Sequence, residues 1–247
     1  MTLDDVIAAG STPLTAPAYS RRPHRFTNRE YLTITYRTDP EALRAAVPEP
    51  LTPHPDALVR FEVMRMNQVT GFGPYTESGQ AILVTFDGEE GEYLHAMYLD
   101  HFGATTSGRE LSAYPKAPGS PRLRIEAEAL VGTLDIGSER VATATMRYQD
   151  RPLDPAEAAA QIGVPTFMVK MIPGYTGPTA VDLVRTRITD LTVTEAWTGD
   201  ARLALHPHVL APLADLPVRD IVATSHILAD LTLAPVQPVF SYLEATR

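Results

Sequence analysis

Over most of the chain apolar and polar residues alternate with a period of two, and this alternation predicts strands. Residues 31–38, YLTITYRT, are rich in β-branched and aromatic side chains, with Arg29 just before the strand begins. The same signal recurs over 57–67, 80–87, 92–100, 122–136 and 140–149, and again over 166–172, 181–198 and 201–205. Gly199-Asp200 reads as a tight hairpin turn, and 218–233 as one long strand or a bent pair. In 122–136, Arg124, Glu126 and Glu128 alternate with Ile125, Ala127 and Ala129, which predicts one face turned to water.

Helix signals are short and sharply punctuated. Thr2 is placed to cap a helix that Gly10 stops, with Asp5 at its third position. Asp39-Pro40 opens a second helix to about Ala46, ended by Pro48, and Asp154-Pro155 opens another through Ile162, ended by Gly163. Residues 107–113 are compatible with a further turn of helix, stopped by Pro115. Residues 11–23 hold three prolines and predict an irregular arm. Many strands with few helices predict a β-rich α+β fold, an antiparallel closed or partly closed β-barrel or sandwich with short covering helices. No linker or low-complexity run divides the 247 residues, so one domain spanning 1–247 is expected.

Composition narrows the chemistry. With 44% hydrophobic and 21% charged residues, the chain can bury a sizeable core. Zero cysteines exclude disulfides, thiolate catalysis and thiolate-bound metals. Together with a first segment that carries Asp4 and Asp5 instead of a basic stretch and apolar run, this leads us to expect a cytoplasmic protein. No run approaches the length of a membrane span. A formal net charge of -9 argues against nucleic acid or an anionic membrane as partner. The seven histidines show no HExxH-type spacing, so no metal site is expected.

Lysine occurs at two positions only, Lys116 and Lys170; arginine supplies the remaining basic groups. Lys116 stands in GRELSAYPKAPGSP, in a loop punctuated by Pro118, Gly119 and Pro121. Two readings fit it: a solvated loop lysine, or an amine that loses its proton in a desolvated site and attacks a carbonyl carbon, which arginine cannot do. Glu62, in the apolar run FEVM, also fits two positions. It is either a buried carboxylate in need of a positive partner or a half-exposed residue on an edge strand.

GRELSAYPK (108–116) stands in order with TNREYL (27–32), VRFEVM (59–64), YTESGQAI (75–82), YLHAMYLD (93–100), VATATM (141–146) and SHILAD (225–230). This collinear series, running from about Ser11 to Tyr242, resembles the acetoacetate decarboxylase family. The resemblance implies decarboxylation of acetoacetate to acetone and carbon dioxide through a Schiff base on Lys116, with no metal or organic cofactor. It implies that Arg29 attracts the carboxylate of a small β-keto acid, Glu62 holds that arginine, and Glu77 shuttles protons. It places Phe26, Met97 and Tyr114 in the walls of the pocket, and it implies a large homo-oligomer.

One position departs from the family. Members commonly carry a second lysine directly after the reactive one, and this chain has Ala117. An apolar pocket is therefore the expected means of keeping the amine neutral; a free lysine, with pKa near 10.4, has about one amine in a few thousand neutral at pH 7. Two other functions stay open. One is a Schiff-base aldolase or dehydratase acting on keto acids such as pyruvate; the other is a non-catalytic barrel that binds a small ligand. Retention of Arg29, Glu62 and Glu77 favours decarboxylation.

Overall fold

A computed structural model describes residues 1–19 and 23–245. Residues 20–22, within the expected arm, lie outside the described residues. In chain order the elements begin α1 (Leu3–Ala9), β1 (Arg25–Arg37), α2 (Pro40–Ala46), β2 (Thr52–Pro53), β3 (Leu58–Val69), β4 (Tyr75–Phe86) and β5 (Glu89–Leu99). Next come α3 (Phe102–Glu110), β6 (Lys116–Pro118), β7 (Ser120–Glu126), β8 (Ala129–Ile136), β9 (Glu139–Arg147), β10 (Arg151–Pro152) and α4 (Pro155–Ile162). The chain continues through β11 (Thr166–Pro173), β12 (Pro178–Thr186), β13 (Ile188–Thr198), β14 (Ala201–Leu205), a 3-10 turn (Pro212–Asp215), β15 (Asp220–Leu233), β16 (Gln237–Ser241) and α5 (Tyr242–Ala245).

The β-rich α+β class is as expected. A large sheet runs β10-β13-β15-β1-β3-β4-β5-β11-β12-β16, with β2 beside β4 and β6 beside β5; a smaller one runs β14-β9-β8-β7. Among the described residues the large sheet does not close on itself, since β10 and β16 end its path. Nor is it wholly antiparallel: β5 pairs in parallel with both β6 and β11.

Period-two alternation gives the large sheet two apolar faces and hence two cores. Leu32 and Ile34 of β1 with Phe61 and Val63 of β3 face one way, into a core shared with Leu130, Leu134 and Ala144 of the small sheet. The sheets approach closely there, a Cβ on Gly132 lying only 2.8 Å from Val63 Cγ2. Tyr31 of β1 and Met64 and Met66 of β3 face the other way, with Ala104 of α3 and Ala158 of α4. The residues expected to carry the chemistry stand on this second face.

Thr2 and Asp5 form a reciprocal capping box on α1, and Gly10 ends it in the left-handed region at φ 76. Asp154 accepts from two backbone N–H groups of α4. Asp39 stands at the start of α2 but makes no such bond; its carboxylate instead takes two hydrogen bonds from Arg219, each 2.8 Å.

Several expectations are corrected. The strand read as 122–136 is a hairpin, β7 and β8, whose turn residues Ala127 and Glu128 both have positive φ. Neither is glycine, so the turn carries no compositional signal. The run 181–198 breaks at Arg187 into β12 and β13. Gly199-Asp200 is no hairpin but a crossover, because β13 pairs with β15 in one sheet and β14 with β9 in the other. Strand β1 begins before Tyr31 and contains Arg29, with a bulge at Asn28 (φ 52). The helix before Lys116, α3, begins five residues before the expected 107–113 segment and ends at Glu110 within it; it is capped by His101 Nδ1 accepting from the Ala104 N–H at 3.1 Å.

Candidate active site

Strand register assembles the site. Across β1, β3, β4, β5 and β6 one row of paired residues runs Thr33, Glu62, Gly79, Met97, Lys116. The next row runs Tyr31, Met64, Glu77, Leu99. Residues two apart on one strand share a face, so Arg29, Glu62, Glu77 and Lys116 all project to the same side. All four are buried. Lys116 thus belongs to a three-residue strand and is neither in a loop nor solvated.

Its amine is tightly held. Lys116 Nζ lies 2.6 Å from Glu77 Oε1 and donates to the Ala104 carbonyl of α3 at 3.2 Å. The rings of Tyr114 and Tyr75 stand 5.3 Å and 5.9 Å from it, within cation–π range. Arg109, in the last turn of α3, donates to the Lys116 carbonyl at 2.9 Å and fixes the backbone from behind. Gly108 lets α3 come this close: a Cβ there would lie 2.7 Å from Lys116 Cδ and 3.2 Å from Nζ.

Arg29 enters from β1. Its guanidinium stacks over Tyr31 at 4.6 Å and Phe26 at 5.2 Å, and Nη2 donates to Met64 Sδ at 2.9 Å. A thioether is a weak acceptor, and among the described residues Arg29 Nε has no partner, nor has the buried Tyr31 hydroxyl. Burial works against the arginine's charge. The field of Tyr31, Glu77, Tyr75 and Glu62 outweighs it, and its pKa is raised.

Glu62 is the buried carboxylate, not the edge-strand one. Its partner differs from expectation. Among the described residues no ion pair joins it to Arg29; Oε1 accepts from Thr33 Oγ1 at 3.3 Å. Burial, reinforced by Glu92, pushes its pKa up to about 7, against the pull of Arg60 and Arg29. Arg60 is engaged elsewhere, 2.6 Å from Glu92, and the Thr166 hydroxyl donates to the other oxygen of Glu92 at 3.2 Å.

These groups surround a cavity of about 70 Å³, to which Phe26, Met97 and Tyr114 also contribute. Every residue expected at the site is therefore brought together. The surroundings are less apolar than expected, since a carboxylate touches the amine directly. Arg60, Glu92, Tyr31 and Tyr75 also line this cavity but were not expected there. The available signal was the period of two: Arg60 lies two residues before Glu62, Tyr75 two before Glu77, and Tyr31 two after Arg29.

Ala117 follows Lys116 on its strand and so points away from it. It packs against the core shared with the small sheet. The cations that share the cavity with Lys116 are arginines from other parts of the chain, Arg29 of β1, Arg60 of β3 and Arg187 between β12 and β13.

The acetoacetate decarboxylase family model matches residues 11–243. The chain is 55% identical over 245 residues to an acetoacetate decarboxylase of Clostridium acetobutylicum, an alignment covering 99% of this chain and all of that one. A solved acetoacetate decarboxylase structure, also 55% identical, superposes with a TM-score of 0.96 over 98% of this chain and 100% of that one. Acetoacetate decarboxylase from Legionella pneumophila, 40% identical, does so at 0.90 over 96% of each chain. A buried lysine beside a carboxylate, faced by an arginine, therefore stands in a chain whose sequence and backbone agree with one family throughout, and the chain belongs to the acetoacetate decarboxylase family.

Proposed function

We propose that the chain decarboxylates acetoacetate to acetone and carbon dioxide through a Schiff base on Lys116. The observation that carries this reading is the pairing of two groups in one buried cavity. Lys116 Nζ has a proton acceptor 2.6 Å away in Glu77, and Arg29 has an N–H without an acceptor among the described residues.

Substrate binding begins at Arg29. The carboxylate of a β-keto acid supplies the acceptor that Arg29 Nε and the Tyr31 hydroxyl lack, and it replaces a thioether contact with a charge-assisted one. Arg29 stacks on Phe26 and Tyr31 instead of being locked to Glu62, so it can hold the carboxylate without anchoring it rigidly. A grip that strengthened only the ground state would slow the loss of carbon dioxide.

Glu77 takes a proton from the Lys116 ammonium, and the neutral amine attacks the ketone carbon. The resulting carbinolamine loses its hydroxyl as water with a proton returned by Glu77, which leaves a protonated imine. The electrons of the breaking carbon–carbon bond flow into that imine, so carbon dioxide leaves and an enamine remains. Protonation of the enamine carbon and addition of water release acetone and restore the amine. This scheme needs no metal or organic cofactor.

Intact-protein mass after borohydride reduction with acetoacetate tests the reading. An isopropyl adduct, absent from Lys116→Arg, is the expected result. An adduct that keeps its carboxylate would instead favour an aldolase or dehydratase working through the same lysine, and no adduct would overturn both.

The family further supports a large homo-oligomer, which sedimentation velocity would test. Among the described residues no helix is long and apolar enough to cross a membrane. The absence of cysteine supports a reducing, cytoplasmic setting. The match over residues 11–243 supports reading 1–247 as one domain.

A further inference from the structure

Lys116 is the wall between two cavities of opposite character. The one of about 70 Å³ holds Arg29, Glu62 and Glu77. The other, of about 640 Å³, lies on the α3 side and is lined by Phe72, Ala104, Leu111 and Val236 among others. Lys116, Phe26, Tyr75, Tyr114 and Leu233 border both. Lys116 is the sole arginine, lysine or carboxylate residue in the described lining of the larger one.

The proposed reaction fixes how a substrate must straddle this wall, so any use assigned to the larger cavity rests on the decarboxylase reading. The substrate's carboxylate lies at Arg29 and its ketone carbon at Lys116 Nζ. The small cavity, at about 70 Å³ against about 640 Å³, is the narrower of the two, and charged side chains crowd the carboxylate end of the substrate there. The room for whatever is attached to the far side of the ketone is in the larger cavity. In acetoacetate that group is one methyl, which leaves most of about 640 Å³ unused.

We infer that the larger cavity is a subsite for an alkyl chain, and that the enzyme decarboxylates medium-chain 3-oxo acids to methyl ketones as well as acetoacetate to acetone. The balance is unchanged along the series: R–CO–CH₂–COO⁻ and one proton give R–CO–CH₃ and carbon dioxide. The apolar lining provides affinity for each added methylene, at about two- to four-fold per group. The small cavity, narrower and lined by Arg29, Glu62 and Glu77, confines that tolerance to one end of the substrate.

The test is steady-state turnover of acetoacetate, 3-oxohexanoate and 3-oxooctanoate by the wild type and by Val236→Trp, with Leu111→Phe as a second narrowing variant should the first fail to fold. KM should fall along the series for the wild type, with kcat staying within about ten-fold. The narrowing variant should lower kcat/KM for 3-oxooctanoate at least ten-fold relative to its effect on acetoacetate. Turnover of acetoacetate with kcat/KM for 3-oxooctanoate below a hundredth of it would overturn the subsite, and so would a variant that changes all three substrates equally. Inactivity toward every 3-oxo acid would overturn the decarboxylase reading itself.

Discussion

Gly108 and Lys116 are packed so closely that a single methyl group cannot be placed between them. A Cβ at Gly108 would stand 2.7 Å from Lys116 Cδ, while Nζ is held on its other sides by Glu77 and the Ala104 carbonyl. The lysine is a flexible side chain, so it can yield, but only by leaving the geometry in which Nζ meets Glu77. Gly108→Ala should therefore lower kcat about 10- to 100-fold, in keeping with the cost of misplacing a reacting group by about an ångström. Thermal unfolding should change little, because the clash is relieved by the side chain and not by the backbone. A kcat within two-fold of wild type would show that the close approach does not matter.

Glu62 links the site to stability. Its carboxyl holds a proton up to about pH 7 in the fold, against an ordinary value of 4.5, because it is buried and faces Glu92. Between those two pH values the folded protein binds more protons than the unfolded one, so this group lowers stability as pH rises through the interval. Glu62→Gln keeps an acceptor for Thr33 and removes the titration. Urea unfolding at pH 5 and pH 8 should show the variant gaining on the wild type at the higher pH. Equal differences at both would mean that Glu62 is ionised throughout.

Much of this was legible in the sequence. The alternating runs located most strands, and the caps at Thr2 and Asp154 located two helices, because each is a local signal. The collinear motifs carry six of the seven expected residues, with Phe26 one residue before the first of them, and all seven line one cavity. What escaped was set by tertiary pairing. The strand containing Lys116 is three residues long and exists only because Met97 of β5 lies beside it. The turn at Ala127-Glu128 has no glycine or asparagine, and Gly199-Asp200, which has the residues of a turn, passes between sheets. The role of Gly108 depends on α3 crossing over Lys116, which no spacing along the chain reveals.

The second lysine common in the family would not reach the reactive one in this fold. Position 117 follows Lys116 on β6 and faces the opposite core, next to a surface cavity that includes Ile136 and Leu210. Ala117→Lys should accordingly leave the pH dependence of kcat unchanged between pH 5 and pH 9. Movement of either limb by a full pH unit would mean that the new amine acts on the site despite its direction.

Arg60 and Glu92 form the most deeply buried arginine–carboxylate ion pair among the described residues, with side-chain exposures of 9% and 13%. They stand at the edge of the cavity, with Glu62 within their field. Removing one partner leaves the other charged and poorly solvated, at a cost of about 3 to 5 kcal/mol, whereas replacing both with apolar groups of similar size is often close to neutral. Arg60→Met alone should therefore destabilise strongly. It should also push Glu62 further up, since Arg60 is one of the groups that lower it. Arg60→Met combined with Glu92→Leu removes the attraction and the repulsion together, and it should recover most of the lost stability in urea unfolding at pH 7. If the single substitution costs less than about 1 kcal/mol, the pair behaves as a solvated surface bridge and its influence on Glu62 is correspondingly screened.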